Sequence, residues 1–186
     1  MRRLKIFAVL MAVCLAASVS AADTAEAAGA AKNSADAFMS LPFGHTFART
    51  KLRMERSGAS AKSQSGDFLA MEGFFEGRPA VFHFSFDSKK GLKGKTLYLQ
   101  STGNASEDSR FYEALMQAYN YQYGKTDERP LPNTWAEGKI MMRCIWTPDR
   151  WTTITLTYNP EATVRFPGPS PKDRPIHLIY AYSKWD

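Results

Sequence analysis

Large apolar residues stand at every second position on either side of a short turn signal: Leu69, Met71 and Phe75 before Glu76-Gly77-Arg78-Pro79, then Ala80, Phe82, Phe84 and Phe86 after it. A period of two is the pattern of a strand with one buried face, and a helix cannot hold it. Two strands, Asp67 to Phe75 and Ala80 to Asp87, are therefore expected as a hairpin. A two-residue Gly77-Arg78 loop pairs Phe75 with Ala80, Gly73 with Phe82, Met71 with Phe84 and Leu69 with Phe86. Every large side chain then falls on one face, whereas a slip of one residue turns one strand's set outward. On the opposite face this register sets Glu72 across from His83. A third strand, Lys95 to Ser101, follows the turn at Ser88 to Gly91.

The flanking segments give the same order twice. Thr46 to Arg56 reads as a short helix capped by Thr46 and ended at Ser57-Gly58, with Phe47, Leu52 and Met54 as its apolar positions. Glu107 to Tyr123 is the stronger helix, with Ser106 as N-cap, acids in the first turn and Gly124 just past the end. Its stripes are Phe111, Leu115, Ala118 and Tyr112, Met116, Tyr119, Tyr123. Lys139 to Trp146 and Thr152 to Asn159 follow as strands. A five-residue connection, Thr147 to Trp151, or a bulge there matches Cys144 with Ile154, Met142 with Leu156 and Ile140 with Tyr158. Ile176 to Ser183 supplies a last alternating strand. The expectation is an α+β fold: an antiparallel sheet of about six strands packed by two helices, in the order helix-strand-strand-strand repeated twice.

The N-terminal segment carries a different message. Arg2, Arg3 and Lys5 precede an apolar run from Ile6 to Ala17 and the small-residue stretch Ser18-Val19-Ser20-Ala21. That is the layout of a secretory signal peptide over residues 1–21, and the run is too short for a spanning helix of ~20 residues. Val13 before Cys14 does not fit a lipoprotein signal. Residues 22–37 are Ala-rich and read as a flexible lead, with a single domain over 38–186. Cleavage takes three of the 24 basic residues, leaving 21 against 18 acids, or +3. So weak an excess, in an exported protein, argues against nucleic acid as a partner. It also leaves one cysteine, Cys144, so no internal disulfide is expected.

Chemistry-bearing residues are sparse. No two of His45, His83 and His177 have a metal-ligand spacing, so no metal or other cofactor is expected. A cross-strand His83–Glu72 pair on a solvated face is ordinarily an ion pair, and a catalytic use of it, with Arg143 nearby, is the alternative. Cys144 points inward with Met142 and Trp146 and reads as a small hydrophobe. Ser57 to Ser65 reads as a mobile loop. For binding, the candidates are Trp135 in a Pro-flanked loop, Trp151 at a hairpin end, and Arg165, Lys172 and Arg174 in the long stretch Pro160 to Pro175.

Phe43-Gly44-His45-Thr46 opens a helix that is followed by a hairpin, and Tyr123-Gly124 closes a helix before a Trp-bearing loop and two strands. In this element order, over residues 40 to 183, the chain resembles small exported bacterial α+β proteins, among them the helix-plus-meander modules of β-lactamase-inhibitor-protein-like domains and small outer-membrane assembly proteins. It departs from them in having three strands per helix instead of two and no lipid anchor. The resemblance implies a non-enzymatic interaction domain and carries over no site residue. The expected function is that of a periplasmic or secreted binding or assembly module with an envelope protein or ligand as partner and no membrane span after cleavage. The alternatives are a hydrolase-like envelope enzyme using His83 and Glu72, and a carrier of a small apolar ligand between sheet and helices.

Overall fold

The structure is a computed structural model that describes residues 33–126, 128–132, 140–160 and 175–184. Residues 1–32, which include the expected leader and most of the expected lead segment, lie outside the described residues. The fold is α+β, an antiparallel sheet with helices, as the patterning requires. In chain order its elements are α1 (Ala35–Ser40), α2 (Phe47–Arg56), β1 (Ser60–Ser65), β2 (Phe68–Phe75), β3 (Arg78–Asp87), β4 (Gly91–Leu99), α3 (Ala105–Tyr123), β5 (Arg129–Pro132), β6 (Ile140–Asp149), β7 (Thr152–Tyr158) and β8 (Ile176–Tyr182). The strands form one sheet in the order β1-β2-β3-β4-β8-β7-β6-β5. Two antiparallel meanders, each led by helix, thus meet at the β4–β8 pair, in the order that a two-fold axis at that junction generates.

Among the described residues each meander has four strands, against the expected three. The additions are the two edges. β1 is the segment read as a mobile loop: all six of its side chains are exposed, so no apolar alternation marks it. β5 carries Pro130 and Pro132, which depress a strand reading. Both edges are blunted against further pairing. β1 is broken by a register shift between Ala61 and Ser63. In β5 the two prolines have no amide hydrogen to offer.

The fold also begins earlier than the expected start near Phe38. Ser34 donates its amide to the Phe74 carbonyl (2.7 Å), and Phe38 of α1 is fully buried. Alanines in α1 pack closely because they are small, and the same residues made the segment look like linker. Asn33 secures the entry by accepting the amides of Ala35 (3.0 Å) and Glu76 (3.1 Å).

Both hairpin registers differ from expectation by two residues. Phe75 faces Arg78, Met71 faces Phe82 and Leu69 faces Phe84. A shift of two leaves every side chain on its expected face, so the apolar pattern cannot detect it; the turn decides. The two-residue loop is Glu76-Gly77, with φ of 50° and 76°, the twist that matches a two-residue hairpin. Glu76 is strained there, because a left-handed backbone suits Asn or Gly far better. Glu76→Asn is expected to raise stability by about 0.5–1 kcal/mol, read by urea denaturation; an unchanged or lower midpoint would refute the strain. In the second meander Cys144 faces Leu156 and Met142 faces Tyr158, with the expected irregularity between Trp146 and Asp149.

One face of the sheet holds the core. Met71, Phe82, Phe84, Leu97, Leu156 and Leu178 meet Phe38 of α1, Met54 of α2 and Tyr112, Leu115 and Tyr119 of α3. Thr46 caps α2 as expected, its hydroxyl oxygen accepting the Arg49 amide. Leu52 does not join the core and is 48% exposed. The α3 cap is Asn104, not Ser106: its side-chain oxygen accepts the Ser106 and Glu107 amides, so the helix starts two residues earlier, at Ala105. None of the described helices is long and apolar enough to cross a membrane.

Candidate functional site

The helices pack their apolar sides on one face, so the residues of opposite parity form a second face on which no described helix sits. Across its middle runs a row of rings, one from each of four neighbouring strands. Phe68 on β2 meets His83 on β3 at 5.0 Å between centroids, His83 meets Tyr98 on β4 at 4.8 Å, and Tyr98 meets His177 on β8 at 4.8 Å. Every contact is edge to face, the favoured arrangement for rings. The register makes this row. Tyr98 and His177 are direct partners. His83 lies opposite Ala70 and Thr96, so its ring reaches diagonally to Phe68 and Tyr98.

Beside the row the face is recessed. Ser85, Gly94 and Ala181 are consecutive partners across β3, β4 and β8. These small residues help to line a shallow hollow of about 400 Å³, with Phe68, His83, Thr96 and Tyr98 along it. Gly94 cannot carry a side chain without a shift, because a Cβ there stands 2.6 Å from Ser85 Oγ. The hollow is therefore a product of three small residues in register.

Burial sets the protonation of the row. Burial first, and then the Lys62 ammonium, lower the His83 pKa below the usual imidazole value, while burial raises the Tyr98 phenol. Both rings are neutral at pH 7. The unfolded chain takes up a proton on His83 at higher pH than the folded one, so stability rises with pH between the two pKa values and is flat above them. The melting temperature is expected to fall on acidification from pH 7.5 to 5, and His83→Gln to remove part of that fall. An unchanged slope in the variant would show that His83 contributes none of it.

The residues weighed for catalysis do not converge. Glu72 faces Val81, not His83, and its carboxylate accepts from Lys62. Arg143 lies on β6, four strands from His83, a separation of about 19 Å at the usual strand spacing. Cys144 is buried beside the Tyr112 hydroxyl (3.5 Å), and burial raises its thiol pKa, the condition of an inert core cysteine. Among the described residues no three His, Cys, Asp or Glu side chains converge on a point that holds a metal ion.

Of the residues weighed for binding, Trp135, Arg165, Lys172 and Arg174 lie outside the described residues. Trp151 sits in the β6–β7 turn, half-buried, with the Arg150 guanidinium over its ring at 4.8 Å and its amide donated to Asp149. The ring row itself escaped sequence reading. Tyr98 and His177 are 79 positions apart, and only the β4–β8 pairing of two meanders brings them together.

No protein-family model, curated protein or solved structure matches this chain.

Proposed function

We propose that this chain is an exported, non-catalytic binding module of the cell envelope, periplasmic or secreted, that engages its partner through the helix-free face of the sheet. The observation that carries this reading is the half-buried row Phe68, His83 and Tyr98, backed by the buried His177 ring, with the hollow beside it. Aromatic rings on a rigid sheet, already ordered by their neighbours, lose little freedom on contact, which is what a recognition surface needs. The leader-like N-terminus supports an exported location, and the resemblance in element order to exported interaction modules is in keeping with it. The space between sheet and helices is occupied by Phe38, Phe82, Phe84 and Leu97, all fully buried, which disfavours a carrier of ligand in that layer.

Affinity capture from envelope extract, followed by mass spectrometry, tests the assignment of the face. The Tyr98→Ser variant is expected to lower recovery of the captured partner at least tenfold, while Trp151→Ala leaves it unchanged. Loss on Trp151→Ala with full recovery on Tyr98→Ser would move the contact to the hairpin end and sink the proposal.

A further inference from the structure

At the β5–β6 end of the same face, Arg129 and Arg143 are direct cross-strand partners. Like charges placed opposite each other repel, and the strand pairing holds these two side chains together regardless. They line a hollow of about 340 Å³ with Lys125, Thr126 and Ile145. The Thr126 hydroxyl donates to the Ile145 carbonyl (2.7 Å), which ties the segment after α3 to β6 and sets Lys125 beside the pair. Three cations therefore come from three segments of chain to one hollow. Among the described residues none of the three has an acidic partner: the ion pairs are Lys51–Glu55, Lys62–Glu72 and Arg78–Asp108. Glu128, adjacent to Arg129, acts instead on Tyr112 and Cys144, on the helix-covered side.

We infer that this hollow is an anion site for a phosphoryl group. A guanidinium fork grips two oxygens of a tetrahedral oxyanion at once, and two forks with an ammonium, three positive charges together, more than neutralise a phosphoryl dianion and offer donors to all its oxygens. Exposed Ile145 provides an apolar wall for whatever bears the phosphoryl group. Two sources share this chemistry in an envelope: a phospholipid headgroup and a soluble phosphate ester. The site goes beyond the partner-binding reading and does not depend on it, since Tyr98 takes no part in it.

Titration with inorganic phosphate, followed by calorimetry, and cosedimentation with phosphatidylglycerol or phosphatidylcholine vesicles test it. Saturable phosphate binding is expected, weakening as pH falls through the second ionisation of phosphate and the dianion takes up a proton, and weakened at least tenfold by either R129Q or R143Q. Melting temperature is expected to hold or rise in both variants, because each relieves a like-charge pair. Cosedimentation with the phosphatidylglycerol vesicles alone, lost in R143Q, identifies the lipid headgroup; phosphate binding without cosedimentation identifies a soluble ester. No saturable binding, binding that both variants retain, or a marked fall in melting temperature in R143Q, which would reveal an existing counter-charge, overturns the site.

Discussion

Asp108→Ala is expected to destabilise the protein by about 3–5 kcal/mol, the range for removing one partner of a buried ion pair. Asp108 lies in the first turns of α3 and is fully buried. Its carboxylate accepts from Arg78 Nη1 at 2.5 Å, Ser101 Oγ at 2.6 Å, the Thr102 amide at 3.2 Å and the Thr102 hydroxyl at 3.3 Å. Arg78 also donates to the Glu107 carbonyl and lies over the Phe111 ring at 4.3 Å. This cluster fastens the start of β3 to the start of α3, and so one meander to the helix of the other. With the acid gone, a guanidinium whose side chain is only 13% exposed has no counter-charge. For a domain of this size the loss amounts to roughly 10 °C in melting temperature. Replacing both partners, Arg78→Met with Asp108→Leu, is expected to regain much of it, because no orphan charge is left. A loss below about 1 kcal/mol in Asp108→Ala would mean that the guanidinium is hydrated where it stands.

Lys95→Met is expected to cost about 2–4 kcal/mol, since charged hydrogen bonds are worth more than neutral ones and the orphaned carbonyls stay buried. Lys95 is a buried lysine on the core side of β4, and its ammonium donates to the carbonyls of Phe38 (2.7 Å), Met39 (3.0 Å) and Leu41 (3.1 Å). These lie at the end of α1, where a helix leaves carbonyls without an internal partner. The same ammonium stands 4.6 Å from the Tyr180 ring centroid. Methionine keeps the apolar stem and removes the ammonium, so the variant takes away the capping donor together with its contact on the Tyr180 ring. Hydrogen exchange should show the damage concentrated over residues 34–41, with denaturation giving the total. Uniform loss of protection, with α1 no worse than β3, would contradict the capping role.

Lys95 also shows why part of this fold was legible and part was not. Alternation placed Met71, Phe82 and Phe84 on one face correctly, because burial of one sheet face demands a period of two. The same period is blind to a shift of two, so both hairpin registers were displaced, and with them the supposed Glu72–His83 pair. At position 95 the alternation runs through a lysine, and nothing local tells that its partners are carbonyls more than fifty residues away. β1 was invisible because an edge strand with every side chain in solvent has no apolar pattern to show. The candidate site was the least legible part. Phe68, His83, Tyr98 and His177 are ordinary residues of four separate strands, and their row exists only through the joining of the meanders at β4 and β8. The Arg129–Arg143 pair depends in the same way on a strand whose prolines conceal it.

The claim that the helix-free face is the recognition surface is tested most directly by site-specific photocrosslinking in exporting cells. A photoreactive phenylalanine analogue at Thr96, in the hollow beside Tyr98, is compared with the same analogue at Gln117 on the exposed side of α3. The account predicts a discrete adduct from position 96 and none from position 117. An adduct from position 117 with none from position 96 would place the partner on the helices and contradict it.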